Sequence, residues 1–137
     1  MREIREVIFR GKRADNGEWI EGSLLGIDWC DKPSTYSIAP NTPVSVFYSV
    51  IPETVGQFTG LTDKNGKRIF EGDIVSLVKH DGLIYKVVYV PCRYELVNSK
   101  GVNCFVLDIY KSENIEVIGN IHDNPELLGG ETNGINR

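Results

Sequence analysis

The chain is poor in the residues that most often carry chemistry. It has two histidines, three cysteines and one methionine among 137 residues. Cys30, Cys92 and Cys104 cannot all pair within one chain, and no two of them stand in a C-x-x-C spacing. That pattern agrees with a reducing compartment. No apolar run approaches the length needed to cross a bilayer, and the stretch MREIREVIFRG is charged where a signal peptide would be apolar. A cytoplasmic protein with no membrane association is therefore expected. A net charge of -4 and a pI near 5.2 give no general attraction to phosphate backbones.

What is present is the composition of a globular domain, 41% hydrophobic and 25% charged, long enough to bury a core without disulfides or a structural metal. The charge is uneven. Arg2, Arg5, Arg10, Lys12 and Arg13 outnumber Glu3 and Glu6 near the start, whereas residues 112–137 carry five carboxylates against Arg137. Such runs are ordinarily solvated faces, and that reading is preferred here to a basic binding arm.

Windows with helical periodicity are scarce, and turn residues interrupt the chain every eight to twelve positions or so, which reads as mainly β. Asn16-Gly17 and Asn65-Gly66 are tight-turn dipeptides, and Asp81-Gly82 joins two β-rich runs; each predicts a hairpin. Residues 28–43 carry prolines at 33, 40 and 43 and read as an irregular connection, followed by a strand in VSVFYSVIP. The run Leu83 to Val90 is apolar enough to be buried on both faces for part of its length. RYELV and VNCFVLDIY suggest one more hairpin around Asn98 to Gly101, and NIEVIGNI a closing strand. Pro125 behind Asn124 suits a single capped helical turn. Asn16 to Leu25 and Asn65 to Val75 echo each other, each running from Asn-Gly through a β run to Glu-Gly; repeated use of one turn chemistry accounts for it.

Between Val55 and Leu77 stand Gly56, Gly60, Gly66 and Gly72 together with Asp63, Glu71 and Asp73. The structural reading makes this a set of turns. Gly66 completes a primed turn, Gly72 turns the chain into the strand DIVSLV, Asp63 and Asp73 accept backbone N–H groups, and Gly56 and Gly60 allow a bulge or a close crossing. The functional reading takes the three carboxylates as a metal or hydrolytic site. A calcium loop needs glycine at its sixth position, and here Gly66 falls at the fourth and Lys67 at the fifth. No phosphate-binding glycine pattern is present either, so turns and caps are preferred.

VIPETVGQFTGLTDKNGKRIFEGDIVSL, Val50 to Leu77, resembles the signature block of the YopX family of phage and prophage proteins. IFRGKRADNGEWIEGSLL, Ile8 to Leu25, and IEVIGNIHDNPELL, Ile115 to Leu128, support the resemblance. It implies a phage or prophage origin, hence a bacterial host cell, and a mainly β fold containing a small SH3-like barrel or roll, at about residues 51–121. With an additional N-terminal hairpin region and little helix, this gives one all-β domain over residues 1–128 and a flexible polar tail at 129–137. The family has no established activity, so the resemblance assigns no catalytic residue.

His80 and His122 with Cys92 and Cys104 fit no ligand-pair spacing, and no metal, cofactor or catalytic residue is expected. Trp19, Trp29, Phe47, Tyr48, Phe58, Phe70, Tyr85, Tyr89 and Tyr94 read mostly as core. Two functional readings follow. The leading one is a non-enzymatic accessory module that binds a host or phage protein, with self-association through strand edges also compatible. The alternative is a nucleic-acid-binding module in which Lys64, Lys67, Arg68, Lys86 and Arg93 line a face with exposed aromatics.

Overall fold

A computed structural model describes residues 6–27, 35–77, 83–90, 93–98, 103–106 and 112–128. Among them are eleven strands: β1 (Phe9–Lys12), β2 (Trp19–Ile27), β3 (Thr35–Ala39), β4 (Tyr48–Val50), β5 (Gly56–Thr62), β6 (Arg68–Phe70), β7 (Asp73–Leu77), β8 (Leu83–Val90), β9 (Arg93–Val97), β10 (Asn103–Val106) and β11 (Ile115–Asn120). Helix is limited to 3₁₀ turns at Pro52–Thr54, Ser112–Asn114 and Pro125–Leu128. The fold is mainly β. Strands neighbour one another in two orders, β4-β3-β2-β1-β5-β6 and β10-β9-β8-β7-β11, and neither closes into a barrel among the described residues. By its contacts the chain divides into two compact units, Met1–Phe58 and Thr59–Arg137.

In the first unit the Asn16-Gly17 turn joins β1 to β2, with Gly17 at φ +74° and Arg13 N–H donating to the Glu18 carbonyl at 2.8 Å. β2 is long enough to change partners along its length. Its first half pairs with β1, ending at Phe9↔Gly22, and its second half pairs with β3, beginning at Ser23↔Ala39. At that switch the β3 backbone passes so close that a Cβ on Gly22 would lie 2.1 Å from the Ala39 carbonyl oxygen. β3 falls within residues 28–43, which read as an irregular connection in the sequence. TYSIA is a good strand former once β2 supplies a ladder, and Pro40 follows its last residue rather than interrupting it.

Ile38 and Val50 are fully or almost fully buried, and both close on Gly11, where a Cβ would find them at 3.2–3.3 Å. β4 is tied back to the end of β1 by an Arg13–Val50 bridge and by Ile51 N–H to the Lys12 carbonyl at 2.8 Å. Buried Thr54 reinforces the tie, accepting from Lys12 N–H and donating to the Ile51 carbonyl.

The second unit packs Ile69, Val75, Leu77, Tyr85, Val87, Leu96 and Ile115 into one cluster, with Leu61, Tyr94 and Val117 at its margin. The period-2 rule puts Val75 and Leu77 of β7 beside Tyr85 and Val87 of β8 on one face. β8 differs from its expected two-sided burial. Ile84, Lys86 and Val88 on the opposite face are half-buried, and Leu83 and Tyr89 near its ends are exposed. β11 pairs with β7 through a bulge between Val117 and Gly119. Asn124 fills the space beside Gly119, where a Cβ would lie 2.6 Å from the Asn124 Oδ1 atom. Pro125 opens the single turn expected of it, 3₁₀ in form. The tail 129–137 and the Asp81-Gly82 turn lie outside the described residues.

Candidate functional site

The glycine-rich block resolves into turns around two buried carboxylates. Gly60, Gly66 and Gly72 have φ of +91°, +81° and +92°, a region costly for residues with a Cβ. Gly56 is buried in β5 opposite Arg10. Asp63 is 3% exposed. Its Oδ1 accepts the N–H groups of Asn65 at 2.8 Å and Lys67 at 2.9 Å, and its Oδ2 accepts that of Val117 at 2.9 Å. Burial pushes this carboxyl up, but the backbone donors Val117, Lys67 and Asn65, with the Lys67 charge, outweigh it and hold the group below its usual range. Asp73 is 1% exposed, and its Oδ2 accepts the Phe70 N–H at 2.8 Å. Glu71 is half-buried between them in sequence. These bonds serve the backbone, the work of an Asx turn and a turn cap.

The five basic residues proposed for a nucleic-acid face are spread over the β5–β6 turn, β6, β8 and β9. Lys64 and Lys67 lie on the β5–β6 turn, where Lys64 Nζ approaches Glu116 at 3.6 Å, and Arg68 opens β6. Lys86 lies mid-β8, two inter-strand spacings from β11, or about 10 Å. Arg93 opens β9 opposite Val90. Strand parity also separates Lys86 from the exposed ring of Tyr89, which packs edge-on against Tyr94 at 5.2 Å. Burial, Glu71 and Tyr89 together raise the Tyr94 hydroxyl above its usual pKa.

The first unit holds a constellation that sequence reasoning did not single out. Lys12 stands opposite Trp19 in the ladder, and Arg10 lies on the same face two residues away. Both cations cover the indole, Arg10 at 4.8 Å and Lys12 at 5.5 Å from the ring centroid. The Arg13 guanidinium stacks 4.1 Å above Tyr48 and is paired with Asp15 at 2.6 Å. That hydrogen bond raises the arginine and lowers the aspartate from their ordinary values. The signal was available, since an Asn16-Gly17 hairpin fixes which residues face each other across β1 and β2. These contacts place the aromatic faces against the chain's own cations.

Beside Tyr48 runs a segment whose apolar side chains are unexpectedly exposed. Phe47 is 65% exposed and Val44 63%, with Ile51 at 37%, although Phe47 reads as core in the sequence. β3–β4 pairing and the tie to β1 hold Tyr48 to Val50 in the sheet, and Phe47 stands just before that strand. Phe58, Phe70 and Tyr85 are buried as expected, and Trp29 lies outside the described residues. So do His80, Cys30 and Cys92, and nothing is described of the Cys104 side chain in β10. Among the described residues no group of three or more His, Cys, Asp or Glu is arranged to hold a metal ion, and no helix is long and apolar enough to cross a membrane.

A family model described as YopX protein matches residues 8–129. The chain belongs to the YopX family. A solved structure, the crystal structure of protein EF1440 from Enterococcus faecalis, is similar at 26% identity and a TM-score of 0.56, covering 91% of this chain and 99% of that one. No curated protein matches. The YopX match spans both compact units, so the basic–aromatic sheet and the glycine-rich turns fall within one family region.

Proposed function

We propose that this YopX-family chain is a non-enzymatic accessory module of a bacteriophage or prophage, acting in the cytoplasm of the bacterial host by binding a host or phage protein. In this reading the second unit is a small SH3-like roll that serves as scaffold, and the first unit presents the contact. The observation that carries it is the exposure of Val44, Phe47 and Ile51 within eight residues. Solvent-facing apolar side chains grouped in this way mark surfaces that a partner covers. The segment is also held in shape, because Thr42 N–H donates to the Pro40 carbonyl, Thr42 Oγ1 to the Val44 carbonyl and Ala14 N–H to the Ser49 carbonyl. Restricting the free segment in this way lowers the entropy lost on binding.

The test is capture of partners from host lysate by the tagged protein and by its Val44→Ser/Phe47→Ser variant, with and without nuclease. Both side chains face solvent, so the variant is expected to keep wild-type stability to within about 0.5 kcal/mol. A protein retained through nuclease and high salt by the wild type, and lost by the variant, supports the reading. Retention abolished by nuclease replaces it with the nucleic-acid alternative, and equal retention by both proteins removes this surface from it.

A further inference from the structure

β11 ends the five-stranded order among the described residues, so its outer edge would ordinarily show unpaired backbone groups. In this fold those groups are covered from within the chain. Ile115 and Val117, two residues apart, point the same way across the strand. The Ile115 carbonyl accepts the Lys64 N–H at 2.9 Å, and the Val117 N–H donates to Asp63 Oδ2 at 2.9 Å. Further along, the Asn120 N–H donates to Asn124 Oδ1 at 3.2 Å. The cover at Ile115 and Val117 is the β5–β6 turn itself, shaped by Gly66 at positive φ and by the Asp63 N–H to Lys67 carbonyl bond at 2.8 Å.

We infer that the β5–β6 turn is an edge guard, which occupies the outward backbone groups of β11 and so prevents a second copy of this chain from pairing with that edge. An antiparallel edge is self-complementary about a two-fold axis, because the alternating donors and acceptors of one strand meet those of its copy. The natural occupant of an unguarded β11 is therefore another β11. This gives the glycine-rich block a role beyond closing its own turn. Two of its groups converge on one strand about fifty residues away, the buried acceptor Asp63 and the Lys64 N–H, both held by the tight turn from Asp63 to Gly66. The Lys64–Glu116 approach at 3.6 Å is half-exposed and adds little.

Two substitutions uncover the edge in different ways. Asp63→Asn keeps an oxygen for the N–H groups of Asn65 and Lys67 and turns its amide N–H₂ toward Val117, leaving that donor without an acceptor. Lys64→Pro deletes the donor to Ile115, and proline suits this position, since Lys64 is the second residue of the β-turn closed by Gly66 N–H to the Asp63 carbonyl at 3.0 Å. Sedimentation velocity over a concentration series compares both full-length variants with the wild type, and amide exchange of β7 and β8 reports whether the unit remains folded. Each folded variant is expected to self-associate at a concentration about tenfold or more below that of the wild type. Adding Val117→Pro, which removes the outward donor from an edge position that tolerates proline, is expected to reverse the Asp63→Asn effect. Should Asp63→Asn lose the exchange protection, the Lys64→Pro result decides. Folded variants with the wild-type association profile overturn the inference, and association that persists with Val117→Pro does so too, because it must use another surface.

Discussion

The Asn16-Gly17 and Asn65-Gly66 turns use the same dipeptide in different surroundings and at different lengths, the Gly17 N–H reaching the Arg13 carbonyl four residues back and the Gly66 N–H the Asp63 carbonyl three residues back. Both glycines take positive φ, +74° and +81°, and each turn carries an aspartate nearby, Asp15 directly before Asn16 and Asp63 separated from Asn65 by Lys64. In the first, Asp15 faces solvent with 64% of its side chain exposed and pairs only locally, with Arg13. In the second, Asp63 is 3% exposed and reaches 54 residues along the chain to Val117. The Glu-Gly pair that follows each turn diverges as well. Gly22 is needed because Ala39 passes too close for a Cβ, whereas Gly72 is needed because its φ is +92°. Local sequence thus specifies a turn, and the strand that arrives beside it decides what the turn is worth.

The contrast breaks hardest at the two aspartates. Asp63→Ala strands three backbone N–H groups, at Asn65, Lys67 and Val117, and is expected to cost about 4 kcal/mol, read as a lower denaturant midpoint. A loss below about 1 kcal/mol would mean that water replaces the carboxylate and that the turn is not tied to β11.

Next come the two glycines. Gly22→Ala places its methyl group on the Ala39 carbonyl, where neither backbone can yield without breaking the β2–β3 ladder, and is expected to cost about 3 kcal/mol. Gly72→Ala forces a Cβ into a disfavoured backbone conformation, worth about 1–2 kcal/mol. Thermal melts of both variants check the order, and equal losses would erase the distinction between close approach and positive φ.

Acid separates the turns a third way. The folded-state pKa of Asp63 lies below its unfolded value, so the stability it contributes is fully present above the ordinary carboxylate range and is lost as pH falls through the folded value. The wild type is expected to lose stability below about pH 4 more steeply than Asp63→Asn, which has no carboxyl to titrate there. Parallel curves for the two proteins would assign the acid loss to other groups.

Much of this was legible in advance, for physical reasons that also set its limits. The two Asn-Gly hairpins and the β7–β8 and β9–β10 pairings follow from turn chemistry and β-branched runs, which are local. That Asp63 would accept backbone N–H groups was equally local, whereas the Val117 donor was not, because nothing near position 63 announces which strand will lie beside it. β3 was hidden by its flanking prolines, and the constraint on Gly22 was hidden because it comes from Ala39, seventeen residues on, and not from turn chemistry. Sequence position did not show that Lys86 would lie on β8, two strands from β11, with strand parity turning it away from Tyr89. Arg10, Lys12 and Arg13, first read as part of a solvated charged run, instead stack on Trp19 and Tyr48.

The smallest expected effect completes the comparison. Asp15→Ala removes a salt bridge 2.6 Å long, a shorter contact than any that Asp63 makes, yet both partners are wet. The attraction is screened, and the freed side chains regain rotamer entropy that opposes it, so no measurable change in stability is expected at physiological salt. Arg13 keeps its stack on Tyr48 and its backbone bridge to Val50 whether or not the carboxylate is there. Melting Asp15→Ala beside the wild type at low and high salt tests this. A loss that persists at high salt would show that Asp15 holds the guanidinium in place over Tyr48, and the exposed turn would then resemble the buried one in kind, differing only in degree.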